Sequence, residues 1–393
     1  MIKILYISRI NLLSDRTNAY NLAKTCEALN AQEDFQVRLV TTDRERDANT
    51  FFQMMGVKKP FSIRGLGVTD TLSKYGGKVW YEWLMFPYLN LRLTLFLLRQ
   101  RRGFDTIYFR DESLTLAALF AKIVLRKRVF FEIHSVLQKK MRQFLNLTAI
   151  RLADGVIAIT STLKKYYEKS NNNIIVSFCS AADDSWFDYS KDKSVLKKEL
   201  KLPENKYLVG YTGVVGANPN NDYYELDDIV KSLVTLPREI SCVIVGELTS
   251  EAKWLRDVAR NAGVENRVVI VPWQNRNKIP KYLQAFDAVL IPKRKKDLIG
   301  DSPAKMFQGL ATRRPIIAGR AECIEEVLTD NLDALIVESN TSGGWAKAIL
   351  KIYKDSELTR KLSDQAWVTK DKYTWEKRGI AITKFIKKAT ITK

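Results

Sequence analysis

The feature that most constrains this chain is its alternation. Short apolar runs, rich in β-branched and aromatic residues, recur along it, each followed by a stretch with helical spacing. One set occupies residues 2–7, 36–40, 106–109, 128–133, 155–159 and 173–178; a second occupies 207–211, 241–245, 267–271, 288–291, 315–318 and 334–337. The runs are continuously apolar, as strands buried on both faces require, which points to parallel sheets covered by helices. Residues 20–29 and 226–236 place apolar side chains at helical spacing between such runs. Strand and helix in repeated alternation make an α/β architecture. A polar, charged stretch at 183–204 separates the two sets. The pattern predicts two facing doubly wound Rossmann-like domains with a cleft between them, 1–186 and 205–372, joined by a linker at 187–204. Ligands of such sheets gather outside the carboxyl ends of the strands, so chemistry is sought in the loops after strands.

Composition narrows the class. With 393 residues, 46% of them hydrophobic and 27% charged, the chain has ample core material and is not disordered. Its four cysteines, Cys26, Cys179, Cys242 and Cys323, lie far apart with one histidine to help them. That argues against a disulfide framework or a structural zinc site and for a reducing compartment. Residues 1–10 run straight into a strand-like segment, without the parts of a signal peptide. The most apolar long window, 80–98, contains Glu82, Pro87, Asn90 and Arg92, so a bilayer span is not expected. The sequence thus predicts a cytoplasmic protein, either free or peripheral on the cytoplasmic membrane face. Sixty-four basic against 44 acidic residues give a net charge of +20, which invites a polyanionic partner.

Specific segments follow in order. Tyr211-Thr212-Gly213 ends the first strand of the second half, and Val243-Ile244-Val245-Gly246 ends the next. Residues 282–292 carry Tyr282, Leu283, Ala285, Asp287 and Pro292; Asp301-Ser302-Pro303-Ala304-Lys305-Met306-Phe307-Gln308 comes after them. Residues 311–318 and Tyr373-Thr374-Trp375-Glu376 close the series, and Phe131-Glu132-Ile133-His134 ends a strand in the first half. Together these resemble the retaining, nucleotide-sugar-dependent glycosyltransferases of family 4 over nearly the whole chain. Each segment is loose alone, but their order and spacing are specific. The resemblance implies the GT-B architecture, with an acceptor-binding N-terminal domain and a C-terminal domain for the nucleotide sugar. It implies a last helix within 373–393 returning to the first domain. It implies a UDP- or GDP-linked sugar as substrate, no resident cofactor, and a saccharide or lipid-linked acceptor in cell-envelope polysaccharide or glycolipid synthesis.

The residues suit that chemistry. A departing diphosphate carries two or more negative charges, which amides at a helix N-terminus and nearby cations stabilise. Serine is a favoured N-cap and proline a favoured first helical residue, so Ser302-Pro303 predicts a helix opening at Ala304. Lys305 falls in its first turn, and Lys293-Arg294-Lys295-Lys296 precedes it. The resemblance assigns donor binding to Gly213, Lys293, Ser302, Pro303, Ala304, Lys305 and Gln308. Without it, the same residues are a helix start and a solvated basic loop.

His134 follows the apolar strand 129–133, where such a sheet presents ligands. In the family the matching histidine contacts the donor sugar, so His134 is the first catalytic candidate. An imidazole can donate or accept a hydrogen bond near neutral pH. Arg110, also at a strand end, either faces a phosphate or pairs with Asp111 or Glu112. Arg9 and Arg16 stand in a glycine-free first loop and, with Arg110, are the acceptor-side candidates.

Three departures from the family stand out, the first being that the usual glycine pair of its first loop is absent from residues 8–17. Its paired acids would fall on Gly300 and Gln308, neither of them acidic. Gln308 can still hydrogen-bond a ribose hydroxyl, and Asp301 is the nearest carboxylate, the second catalytic candidate. The basic pair expected after Gly213 is missing, which leaves 293–296 to supply charge. As for metal, Asp183-Asp184 opens the polar stretch at 183–204 and Asp227-Asp228 falls within a helix, so no metal site is expected.

The charge has a place in this reading. Segment 74–102 combines Trp80, Tyr81, Trp83, Phe86 and Tyr88 with Lys74, Lys78, Arg99, Arg101 and Arg102, a pattern for an anionic membrane surface or for an ordinary core helix with charged ends. No nucleic-acid motif appears, and aromatics are not interleaved with the basic runs, so nucleic acid is not expected as a partner. Two other readings share the sequence: a nucleotide-sugar 2-epimerase-like enzyme, for which a single histidine is a poor complement, and a non-catalytic binder of anionic surfaces.

Overall fold

A computed structural model describes residues 1–393 except 11, 13–16, 43–47, 69–78, 137–139, 216–224, 248–252, 294–299, 338–340 and 392–393, and except the side chains at 79–84, 112, 140–142 and 390–391. The chain divides into two compact units: Met1–Cys179 with Ile299–Ser302 and Trp375–Lys393, and Ser180–Leu298 with Pro303–Thr374.

The first unit is built on β1 (Ile2–Ser8), β2 (Phe35–Thr41), β3 (Ser62–Gly65), β4 (Thr106–Phe109), β5 (Arg128–Ile133), β6 (Gly155–Ala158) and β7 (Ile174–Val176). The strands lie in the order β3-β2-β1-β4-β5-β6-β7, with every pairing parallel. Successive side chains of a strand point to opposite faces, and the core divides accordingly. Leu5, Ile7, Phe109 and Phe131 join one apolar cluster; Ile4, Tyr6, Tyr108 and Phe130 join the other. Truncating a ring such as Phe130, wholly buried, would cost about 3–5 kcal/mol.

The second unit repeats the plan with β8 (Tyr207–Val215), β9 (Ile240–Glu247), β10 (Val268–Pro272), β11 (Ala288–Ile291), β12 (Ile316–Gly319) and β13 (Leu335–Val337). Their order is β10-β9-β8-β11-β12-β13, again parallel throughout. Chain direction across the sheet reverses beside β1 in one unit and β8 in the other. A topological switch point therefore lies between β1 and β4, and another between β8 and β11.

Several expectations need amending. β3 has no counterpart among the apolar runs, because it is a four-residue edge strand whose burial alternates. The first stretch of the first unit ends at Cys179 instead of 186. Residues 187–204 are not a free linker. They contain the Lys193–Glu199 helix, capped by Asp192, and bury Leu196. Lys197 Nζ lies 3.1 Å from Asp287 Oδ2 and donates to the Lys206 carbonyl at 2.7 Å, tying this segment into the second unit. The C-terminal helix spans Trp375–Ile391 and belongs to the first unit, where Trp375 meets Tyr20 edge-on at 5.9 Å and Phe385 meets Phe130 at 5.8 Å. Among the described residues, no helix is long and apolar enough to cross a membrane.

Candidate functional site

At the switch point of the first unit, Asp111 ties two strand ends together. Its Oδ2 accepts from Ser8 Oγ at 2.9 Å and from the Arg9 amide at 2.7 Å. Arg9 is exposed there, its Nη1 donating to Ser113 Oγ at 3.0 Å. Arg16 lies outside the described residues. Arg110 turns inward. Its Nε is 3.6 Å from Glu132 Oε1, and its Nη1 donates to the Asn18 carbonyl at 3.3 Å. The acidic partner of Arg110 is therefore Glu132, not its neighbour Asp111.

Glu132 is the centre of a buried polar cluster that the sequence reading did not assemble. It is 1% exposed on β5, between Phe131 and Ile133. Oε2 accepts from Tyr108 Oη and from Arg378 Nη2, the latter at 2.6 Å; Oε1 lies 2.7 Å from His134 Nε2. Burial alone would raise its carboxyl pKa, but Arg378, His134 and Arg110 together hold it well below the usual carboxylate range. For His134, burial works downward and is outweighed by hydrogen bonds with Cys179 and Glu132, which push the imidazole up to about 9. In turn, burial raises the Cys179 thiol while His134 lowers it, and His134 prevails. His134 therefore stands at the end of β5 held toward its protonated form, its ring 28% exposed. The only signal of this cluster in the sequence is an acidic residue inside an otherwise apolar strand.

Gly300 explains one departure from the family pattern. Residues Ile299–Ser302 belong to the first unit, and Gly300 has φ 95°. A Cβ there would lie 2.6 Å from the His134 carbonyl oxygen. An acidic side chain cannot be accommodated at this position without moving the backbone. Asp301 and Ser302 follow, both partly exposed. The expected cap is corrected: the Ala304–Leu310 helix takes Pro303 as its N-cap, at φ −64° and ψ 113°, with no side-chain cap bond. Ser302 makes no cap bond to that helix, and its Oγ is buried with no hydrogen-bond partner among the described residues.

The switch point of the second unit presents a cation. Lys305 Nζ donates to Tyr211 Oη at 3.0 Å and sits 4.5 Å over the same ring. Tyr211 Oη donates to the Val214 carbonyl at 3.2 Å. A side chain at 213 would crowd this arrangement, since a Cβ on Gly213 would lie 2.6 Å from Tyr211 Oη and 3.0 Å from Lys305 Nζ. Ala304 precedes Lys305 in the first turn, and Gln308 lies one turn further along the same face, partly exposed. Lys293, beyond β11, is wholly buried and not on a solvated loop; Arg294, Lys295 and Lys296 lie outside the described residues. Glu225, also buried, accepts from Trp345 Nε1 at 2.9 Å. The aspartate pairs meet cations: Asp227 with Lys231 at 3.1 Å and Asp184 with Lys370 at 2.8 Å. Among the described residues, no group of three or more His, Cys, Asp or Glu side chains is placed to hold a metal ion.

Residues 192–367 match the family model for glycosyl transferases group 1. The chain is 22% identical over 201 residues to D-inositol 3-phosphate glycosyltransferase of Xylanimonas cellulosilytica, a match covering 50% of this chain and 46% of that relative. The matched stretch is thus about half the length of the curated relative. In fold, the chain is similar to Alr3699/HepE of Anabaena, solved with UDP and glucose, at TM-score 0.71 and 15% identity over 99% of this chain and 100% of that one. It is also similar to sucrose-phosphate synthase of Thermosynechococcus elongatus, at TM-score 0.78 and 13% identity over 100% of both. Its two parallel-sheet Rossmann-like units are those of GT-B glycosyltransferase structures.

Proposed function

We propose that this protein is a glycosyltransferase that moves a sugar from a UDP- or GDP-linked donor to an acceptor hydroxyl, with retention of anomeric configuration, in envelope polysaccharide or glycolipid synthesis. One observation carries the reading: the glycosyl transferases group 1 match covers the unit in which Lys305 is fixed at the β8 end, on a face shared with Gln308. A nucleoside diphosphate needs a cation for its phosphates and a hydrogen-bonding group for its ribose, and these two side chains supply both. The similarity in fold to a structure solved with UDP supports the same ligand class.

The chemistry follows from the charges. As the bond from the sugar to the diphosphate breaks, negative charge grows on the leaving oxygen, and Lys305 neutralises it. The acceptor oxygen bonds to the same face of the sugar carbon, and its proton passes to the leaving diphosphate. His134, held toward its protonated form, does not act as a base in this scheme. Its ring nitrogens are engaged by Glu132 and Cys179, so it acts through its positive charge, which matches a diphosphate better than a cation-like sugar ring. Asp301 is the carboxylate this reading assigns to the sugar, and Arg9 is the acceptor-side residue, Arg110 being drawn inward to Glu132. Incubation with UDP- and GDP-sugars, followed by NMR of the product, tests the proposal. It expects nucleotide diphosphate release and an anomeric coupling equal to the donor's, and an inverted product overturns it.

A further inference from the structure

The C-terminal helix reaches β5 at one charged point. Glu132 is the acidic residue of that strand, with Phe130, Phe131 and Ile133 buried beside it, and Arg378 of the Trp375–Ile391 helix is buried against it. A guanidinium fork can satisfy both oxygens of a carboxylate at once. Arg378 does otherwise. Only Nη2 meets Glu132, at Oε2 and 2.6 Å. Nη1 donates to the Ser177 and Phe178 carbonyls and to Ser177 Oγ, and Nε donates to Thr25 Oγ1. Tyr108 Oη donates to the same Oε2. Two donors thus hold one oxygen and leave Oε1 turned toward His134 Nε2, 2.7 Å away. Arg110 Nε approaches Oε1 as well, but at 3.6 Å it is outside hydrogen-bond range.

Stability gives no account of this arrangement. Taking two charges out of water costs so much that apolar residues in place of a buried ion pair are often as stable or more so. What the pair supplies is direction. An ionised carboxylate only accepts hydrogen bonds, and Glu132 is held ionised, so Nε2 is the donor in its bond with His134. A carboxylate pinned by two donors fixes the plane of the imidazole and a proton on the nitrogen that faces it, as the third group of a catalytic triad orients its base. Every link lies within the first unit, and the guanidinium at its root comes from the segment that returns after the second unit in sequence.

We propose that Glu132 and Arg378 are positioning residues for sugar transfer: Arg378 on the C-terminal helix aims Glu132 Oε1, and Oε1 holds the ring of His134. This rests on the glycosyltransferase reading, in which His134 acts on the donor, and two readouts separate the one from the other. Proton NMR of the intact protein needs no turnover. The parent should show one far-downfield ring N–H signal from its single histidine, and Glu132→Gln and Arg378→Gln should each move it upfield or abolish it. In turnover, both variants should lose about 10- to 100-fold in kcat with the donor KM nearly unchanged. Arg378→Lys, which keeps the charge without the planar fork, should recover part of that loss. In a His134→Ala background the same substitutions should cost less than about 2-fold more, because they act through a ring that is no longer there. Thermal unfolding confirms that each variant is folded, and Glu132→Gln with Arg378→Lys decides the matter if Arg378→Gln is not. Equal losses with and without His134, or a ring proton unmoved in the folded variants, would overturn the proposal. A parent without turnover fails the transferase reading by itself, and the ring proton still decides whether Arg378 and Glu132 hold His134.

Discussion

Arg378 Nη2 donates to Glu132 Oε2 at 2.6 Å, joining two buried side chains that are 246 residues apart in sequence. The same guanidinium bonds the Ser177 carbonyl at 2.7 Å, Ser177 Oγ at 2.9 Å and Thr25 Oγ1 at 3.2 Å. It locks the C-terminal helix into the first unit. Arg378→Met leaves a buried carboxylate without its strongest partner, which costs about 3–5 kcal/mol. Urea unfolding checks this, and a loss below about 1 kcal/mol would mean that the pair is dispensable.

His134 is the only histidine in the chain, so its ring NMR signals are unambiguous. Its titration midpoint should lie near 9, and Glu132→Gln should lower it. Because the folded value exceeds the ordinary 6.5, His134 contributes stability that is complete below pH 6.5 and is lost as pH rises through about 9. Cys179, held below its ordinary value, contributes in the opposite sense at the alkaline end. A midpoint near 6.5 would remove the imidazolium from the account.

Gly300→Asp restores the acid that the family pattern asks for. Here it should destabilise the first unit by about 1–3 kcal/mol, since φ 95° and the His134 carbonyl both oppose a side chain. Activity should fall as well. A variant as stable as the parent would show that the backbone yields easily.

Lys305→Met and Gln308→Ala should weaken nucleoside diphosphate binding about 10- to 100-fold, the scale of one or two charge-assisted contacts, with little change in melting temperature. Ser302→Ala is the contrasting case. Its Oγ has no partner among the described residues, so its removal should cost little stability. Titration calorimetry beside thermal unfolding separates binding from folding, and unchanged affinity in both lysine and glutamine variants would make the helix start merely structural.

Much of the fold was legible because burial on both faces writes a strand as a continuous apolar run. The residue sets 2–7 and 207–211, for example, became β1 and β8. β3 escaped because Ser62 and Arg64 face solvent, leaving no such run. His134 could be placed from its position after a strand. Its charge state could not, because Arg378 and Cys179 come from distant segments that only the tertiary fold brings near Glu132. Lys305 was readable as a cation in a first turn, whereas its perch on Tyr211 depends on two elements 94 residues apart.

The most direct test of the central claim is calorimetric titration of the intact protein with UDP and with GDP, in buffer containing EDTA. At least one nucleotide should bind with saturation, and Lys305→Met should weaken that binding about 10-fold or more. No heat of binding from either nucleotide, or binding restored only by added manganese or magnesium, would contradict a donor site built from Lys305 and Gln308.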